Sequence, residues 1–129
     1  MGNRLIAVVD DDPLVRSATT SLLRSFGYDC CGFNSAEEFL RGDRRDYDCV
    51  VSDIQMPGMS GVELAHLLKE AIAQVKPSVR LVLRIEGMEG EEAQRTLRKI
   101  QGVRIATTLT DAVLIVHVLL KGRPDVDTD

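Results

Sequence analysis

The chain has no surplus of positive charge. Its 129 residues carry 16 Lys and Arg against 20 Asp and Glu, a formal charge of −4. A nucleic-acid surface needs a basic stripe or face, so this chain by itself is not expected to hold DNA or RNA. No apolar run approaches the length of a bilayer span. No long apolar stretch follows the N-terminal Arg4, so a signal peptide is not expected either. A cytoplasmic location with no membrane partner follows as the expectation. Cysteine is scarce, 3 in all, and no CxxC spacing occurs. Neither a disulfide framework nor a zinc site is therefore supported. Cys30 and Cys31 are adjacent, so on a strand they would point to opposite faces as small apolar side chains. His66 and His117 are far apart and have no ligand-like neighbours, which suits structural roles. Neither GxxxxGK[ST] nor GxGxxG is present, so nucleotide binding has no support.

What is present is an ordinary globular composition, 44% hydrophobic and 28% charged. The length suits one domain with a core of its own. Apolar runs alternate with helical patterns. Residues 5–9 form a continuous apolar run, as in a strand buried on both faces. Asp12 and Pro13 read as the N-cap and first residue of a helix. Val15, Ala18, Leu22 and Phe26 form its expected buried stripe, and Gly27 ends it. Residues 28–33 are a second strand. Ser35 and Glu38 make a capping box for a short helix ending near Gly42. Residues 49–52 are a third strand, closed by Asp53. Pro57, Gly58 and Gly61 mark a loop, and Ser60 with Glu63 opens a helix carrying Val62, Ala65, Leu68 and Ile72. Residues 79–85 are a fourth strand. Residues 89–100 read as a helix with Ala93, Leu97 and Ile100 on one side, after an acidic stretch with Glu86, Glu89, Glu91 and Glu92. Residues 103–106 are a short fifth strand. Residues 111–121 have helical length, although Val113, Ile115, Val116 and Val118 leave a strand reading open. Residues 122–129 are a polar tail.

Strands alternating with helices imply a parallel sheet covered on both faces. Ligands then bind beyond the carboxyl ends of the strands. Three carboxylates fall there: Asp10 and Asp11 after the first strand, and Asp53 at the end of the third. Converging carboxylates repel unless a cation neutralises them, and Mg²⁺ suits hard oxygen ligands. Asp10 to Asp12 alone would fit a helix N-terminus favouring negative charge. Asp53 at the right strand end shifts the balance to a metal site.

These residues carry a family resemblance. Val8-Val9-Asp10-Asp11-Asp12-Pro13 and Ser52-Asp53-Ile54-Gln55-Met56-Pro57-Gly58-Met59-Ser60-Gly61 resemble the receiver domain of two-component response regulators. Ser35-Ala36-Glu37-Glu38-Phe39-Leu40 is similar to receivers that precede helix-turn-helix output domains. The resemblance is strongest over residues 5–68. It implies a flavodoxin-like α/β fold, a doubly wound five-stranded parallel sheet of order 2-1-3-4-5 over residues 1–121. It implies Asp53 as the acceptor of a phosphoryl group from a sensor histidine kinase or a histidine phosphotransfer protein. Asp10, Asp11, Asp53 and the backbone carbonyl of Gln55 would hold Mg²⁺. Leu14 and Ala18 would lie on the kinase-docking surface. Such a chain is a signalling module rather than an enzyme. It would be a stand-alone receiver or the front of a longer regulator.

The second half departs from the family pattern. Receivers carry Thr or Ser at the end of the fourth strand, where this chain has Arg84. They carry Lys-Pro after the fifth strand, where this chain has Thr107-Thr108-Leu109. The aromatic of the fifth strand is missing too, with Arg104 and Ile105 in that region. The usual switch cannot operate as such, and phosphorylation should be slower or its product less well held. Arg84 is a candidate substitute for the lost cation, since a guanidinium binds phosphate well; the competing view is a solvated strand-end residue. Thr107 and Thr108 are candidate hydroxyl donors to the site or turn residues before the last helix. The alternative function is a degenerate receiver, a phosphorylation-independent interaction or dimerisation module. A Mg²⁺-dependent phosphatase with an Asp nucleophile fits less, because only a loose DxD is present. The resemblance also implies a homodimer, since family members often pair through the fourth strand and the fourth and fifth helices; the apolar run 113–120 is read mostly as core, with any surplus a patch for a partner.

Overall fold

Five short strands build the sheet, four of them carrying Val, Ile or Leu and the edge strand of residues 29–33 carrying Cys and Phe instead. The computed structural model describes residues 4–42, 47–53, 65–67, 69–70, 79–85, 95, 97–100 and 102–121. The strands are β1 (Leu5–Val9), β2 (Asp29–Phe33), β3 (Cys49–Asp53), β4 (Arg80–Arg84) and β5 (Val103–Ala106). All pairings are parallel, in the order β2-β1-β3-β4-β5. This is the flavodoxin-like order, and each expected strand is found within a residue or so of its expected place. Central β3 is buried along its whole length, while edge strand β2 is only half-buried. A central parallel strand is covered on both faces, which is why Cys49, Val50 and Val51 run apolar without alternation.

The described helices are α1 (Pro13–Ser25), α2 (Ala36–Arg41) and α3 (Leu109–Lys121). Residues 65–67, 69–70, 95 and 97–98 are also helical. Successive strand residues point to opposite faces. Ile6, Val8, Val51 and Val82 therefore pack with Leu23 of α1 and Val113, Val116 and Leu120 of α3. Ala7, Val9, Val50, Leu81 and Leu83 pack with Phe39 of α2, Ala65 and Leu97 on the other face. Cys30 joins the first layer and Cys31 the second, as their adjacency predicts.

Local chemistry sets the helix ends. The Asp12 carboxylate accepts hydrogen bonds from the N–H groups of Leu14 (2.9 Å) and Val15 (3.3 Å), and Pro13 opens α1. Gly27 follows α1 with φ +96°, a conformation that strains any residue with a Cβ. The Ser35 hydroxyl accepts from the Glu38 N–H, while Glu38 reaches one residue further back than a standard capping box, to the Asn34 N–H at 2.6 Å. In front of α3 the Thr108 hydroxyl accepts from the Asp111 N–H, and the Asp111 carboxylate accepts from the Thr107 N–H. That reciprocal cap favours the helix despite the β-branched content. Ala112, Val113, Val116 and Leu120 are buried at helical spacing, leaving Leu114 (48%) and Val118 (68%) exposed.

The buried stripe of α1 is rotated from the expected one. Ala18 and Phe26 are exposed and Val15 and Leu22 half-buried, whereas Thr19, Thr20 and Leu23 are buried. The two threonines tolerate burial because their hydroxyls donate back to carbonyls of their own helix, Thr19 to Val15 and Thr20 to Ser17. Apolarity alone therefore pointed to the wrong face. Phe26 instead lies against the ring of His117, whose Nδ1 is 2.8 Å from the Tyr28 hydroxyl. His66 is exposed, so both histidines take structural or surface positions. The expected loop at Pro57, Gly58 and Gly61, the Ser60–Glu63 box, Leu68, Ile72, the acidic stretch from Glu86 with Ala93, and the tail 122–129 lie outside the described residues.

Burial pushes the Cys49 thiol up to about 12 from 9.0, and that of Cys30 up to about 11. At pH 8 the folded chain is therefore expected to leave Cys49 unlabelled by a thiol-exchange reagent until it is unfolded, as cysteine-resolved mass spectrometry would report. The thiol of Cys49 is held up only in the fold. Its contribution to stability is thus whole below pH 9.0 and is lost as pH rises toward about 12.

Candidate functional site

The sheet register assembles the site. Val9 of β1 pairs with Ser52 of β3, so the residues that follow, Asp10 and Asp53, end neighbouring strands. Asp53 pairs with Arg84 of β4, which in turn pairs with Ala106 of β5. Asp10, Asp53 and Arg84 are thus neighbours at the carboxyl edge, where doubly wound sheets place their ligands. One carboxylate oxygen from each of Asp10, Asp11 and Asp53 lies within 4.8 Å of the other two. All three acids expected at the site are brought together.

Each acid has a distinct setting. Asp10 is 3% exposed and Asp53 9%, while Asp11 is exposed. One oxygen of Asp10 accepts from the Asp12 N–H at 2.9 Å. Its other oxygen lies 3.0 Å from Nη2 of Arg84, and the same nitrogen lies 3.3 Å from Oδ2 of Asp53. The Asp11 carboxylate makes no hydrogen bond or ion pair among the described residues, and so is open to solvent and to a ligand. Asp12, although adjacent, is committed to the cap of α1.

Arg84 is not a solvated strand-end residue. Its side chain is 12% exposed and bridges two of the three acids. Charged side chains are rarely so buried unless paired. The guanidinium stands where two carboxylates would otherwise repel at close range. The oxygen donors are those a hard divalent cation prefers, and a Mg²⁺ site needs only one or two carboxylates because the ion keeps several waters. The residues therefore fit Mg²⁺ in donor chemistry, with Arg84 already offsetting part of their charge. The Gln55 carbonyl lies outside the described residues.

Thr107 and Thr108 are exposed, and Thr108 serves as the cap of α3. Arg104 is exposed and Ile105 half-buried against the α2-side layer, so neither brings an aromatic ring to the edge. Leu14 is 80% exposed and Ala18 is exposed, both on the outer side of α1.

One contributor escaped the sequence reading. Nη1 of Arg16 donates to the Asp10 carbonyl at 2.7 Å. Its side chain crosses Gly32, where a Cβ would lie 3.2 Å from the Arg16 Cδ. Glycine in edge strand β2 thus leaves room for an arginine that steadies the backbone of the acid loop. The signal was a Gly interrupting a strand, which often marks a close approach.

An open parallel α/β sheet with carboxylates gathered at its carboxyl edge defines the doubly wound class with a polar ligand site. Its family is defined by sequence as well. The family model for the response regulator receiver domain matches residues 6–82. The transcriptional regulatory protein FixJ of Bradyrhizobium diazoefficiens is 39% identical over 79 residues, which is 60% of this chain and 37% of that protein. The chemotaxis protein CheY4 of Vibrio cholerae superposes with a TM-score of 0.73 at 17% identity, covering 93% of this chain and 98% of that one. The response regulator TrrA of Thermotoga maritima, solved in complex with Mg²⁺ and BeF, gives a TM-score of 0.70 at 25% identity, covering 92% and 97%. The chain belongs to the response regulator receiver domain family. It spans about a third of the length of the regulators it matches, 37% in FixJ and 32% in TodT of Pseudomonas putida.

Proposed function

We propose that the chain is a phospho-accepting receiver unit over residues 1–121, working in the cytoplasm as a signalling module rather than an enzyme. Asp53 takes a phosphoryl group from a histidine of a sensor kinase or phosphotransfer protein. The observation that carries this reading is the gathering of the Asp10, Asp11 and Asp53 carboxylates within 4.8 Å at the edge of the sheet. No helix among the described residues is long and apolar enough to cross a membrane.

In the step itself, an oxygen of the Asp53 carboxylate attacks phosphorus. The new P–O bond forms as the P–N bond to the donor imidazole breaks, and the bonding pair returns to that nitrogen. Asp10, Asp11, Asp53 and the Gln55 carbonyl would hold Mg²⁺. When bound, the ion offsets negative charge on the transferring group. The chain's own residues do the positioning. The register of β1, β3 and β4 aligns Asp53 between Asp10 and Arg84. Arg16 and the Asp12 N–H hold Asp10. Arg84 supplies the positive charge that the family draws from its missing Lys, and pairs with the phosphoryl oxygens of the product.

Incubation with a small acyl-phosphate donor and Mg²⁺ is expected to add one phosphoryl mass to the wild-type chain and none to Asp53→Ala. The Arg84→Ala variant should show a lower yield at equal donor. A folded wild-type chain that gains no mass would instead support the phosphorylation-independent interaction module.

A further inference from the structure

We infer that Arg84 is the resident cation of the acidic pocket, so that a divalent ion binds there only by displacing its guanidinium from Asp10 and Asp53. This deepens the proposed function, since it concerns the same pocket and the ion expected in it. One guanidinium nitrogen touches both carboxylates, at 3.0 Å and 3.3 Å, from a side chain only 12% exposed. The oxygen of Asp10 that Arg84 leaves uncontacted is taken by the Asp12 N–H. Each Asp10 oxygen is thus already engaged by one donor, and a metal ion approaching the lone pairs that remain meets the guanidinium charge beside them.

The backbone gives the arginine this place. β4 lies directly against β3, with Arg84 in register with Asp53. A side chain at that position either enters the pocket or leaves the sheet edge, and the charge of the pocket draws it in. A metal ion and a guanidinium cannot both approach the Asp10 and Asp53 oxygens at close range without mutual repulsion. Asp11, exposed and without a partner among the described residues, is then the acid left to a cation while Arg84 stays in place.

Mg²⁺ titration by calorimetry of the wild-type chain, Arg84→Met and Arg84→Gln tests this without any phosphoryl transfer. Both variants are expected to bind Mg²⁺ at least about tenfold more tightly than wild type, because a unit positive charge at contact distance is removed. A wild type that shows no binding beside a variant that does gives the same answer. Equal affinity in all three chains, or no binding in any, overturns the proposal. Should neither variant fold, the Arg84 Nε–H resonance of the wild-type chain decides. It must shift as Mg²⁺ is raised to tens of millimolar, and an unmoved signal overturns the proposal. Mass gain on Asp53 is read separately, so a chain that takes no phosphoryl group yet shows the tighter variants would refute the proposed function and leave this inference standing.

Discussion

In Mg²⁺-free buffer at pH 7, Arg84→Ala is expected to unfold about 3 kcal/mol more easily than wild type. The side chain bridges Asp10 and Asp53 from a position 12% exposed, and those partners are 4% and 10% exposed at their side chains. Removing one member of a buried charge pair costs more than the pair contributes, because the remaining charges are left without compensation. Three carboxylates within 4.8 Å would remain. The loss should shrink when Mg²⁺ is added to the variant, while wild type changes little. Urea unfolding followed by circular dichroism, with and without Mg²⁺, measures both. A variant as stable as wild type in Mg²⁺-free buffer would show that the bridge carries no net charge compensation.

Leu23→Ala is expected to cost about 3 kcal/mol, within the usual range for a buried leucine. The reason is the composition of the inner face of α1. Of its buried residues, Thr19 and Thr20 spend their hydroxyls on their own helix, and Leu23 alone is a large apolar side chain, fully buried. It packs with Ile6, Val8, Val116 and Leu120 between the sheet and α3. A cavity there loses contacts on two sides. Leu22→Ala, one residue away and half-buried, should cost less than half as much. Chemical unfolding of the two variants side by side checks the difference. Equal costs would return the expected stripe to the inner face.

Much of this was legible in the chain itself. Continuous apolar runs marked β1 and β3, since strands covered on both faces need no alternation. Asp12-Pro13 and Ser35-x-x-Glu38 marked helix starts, because orphan N–H groups select those side chains. Asp10, Asp11 and Asp53 were legible because strand ends converge in a parallel sheet. Other features were hidden for physical reasons. The inner face of α1 includes threonines, whose burial depends on back-bonding that a hydropathy pattern does not register. Arg84 read equally as solvated or as a substitute cation, because only register shows which side chain faces it. Arg16 acts on a backbone carbonyl through space left by Gly32, and a Gly within a strand marks a close approach without saying which side chain makes it.

The pairing of Arg84 with Ala106 places the pocket mechanically close to the outer face of α3. Ile85 N–H donates to the Ala106 carbonyl at 2.8 Å, and Ala106 is the last strand residue before the Thr107–Thr108 turn that launches α3. Leu114 and Val118 stand exposed further along that helix. From the charged end of Arg84 to this apolar face the chain runs through one strand pairing and one helix cap. That route is short, and no aromatic side chain lies on it. The acid pocket and the root of α3 are thus separated by the width of a single strand.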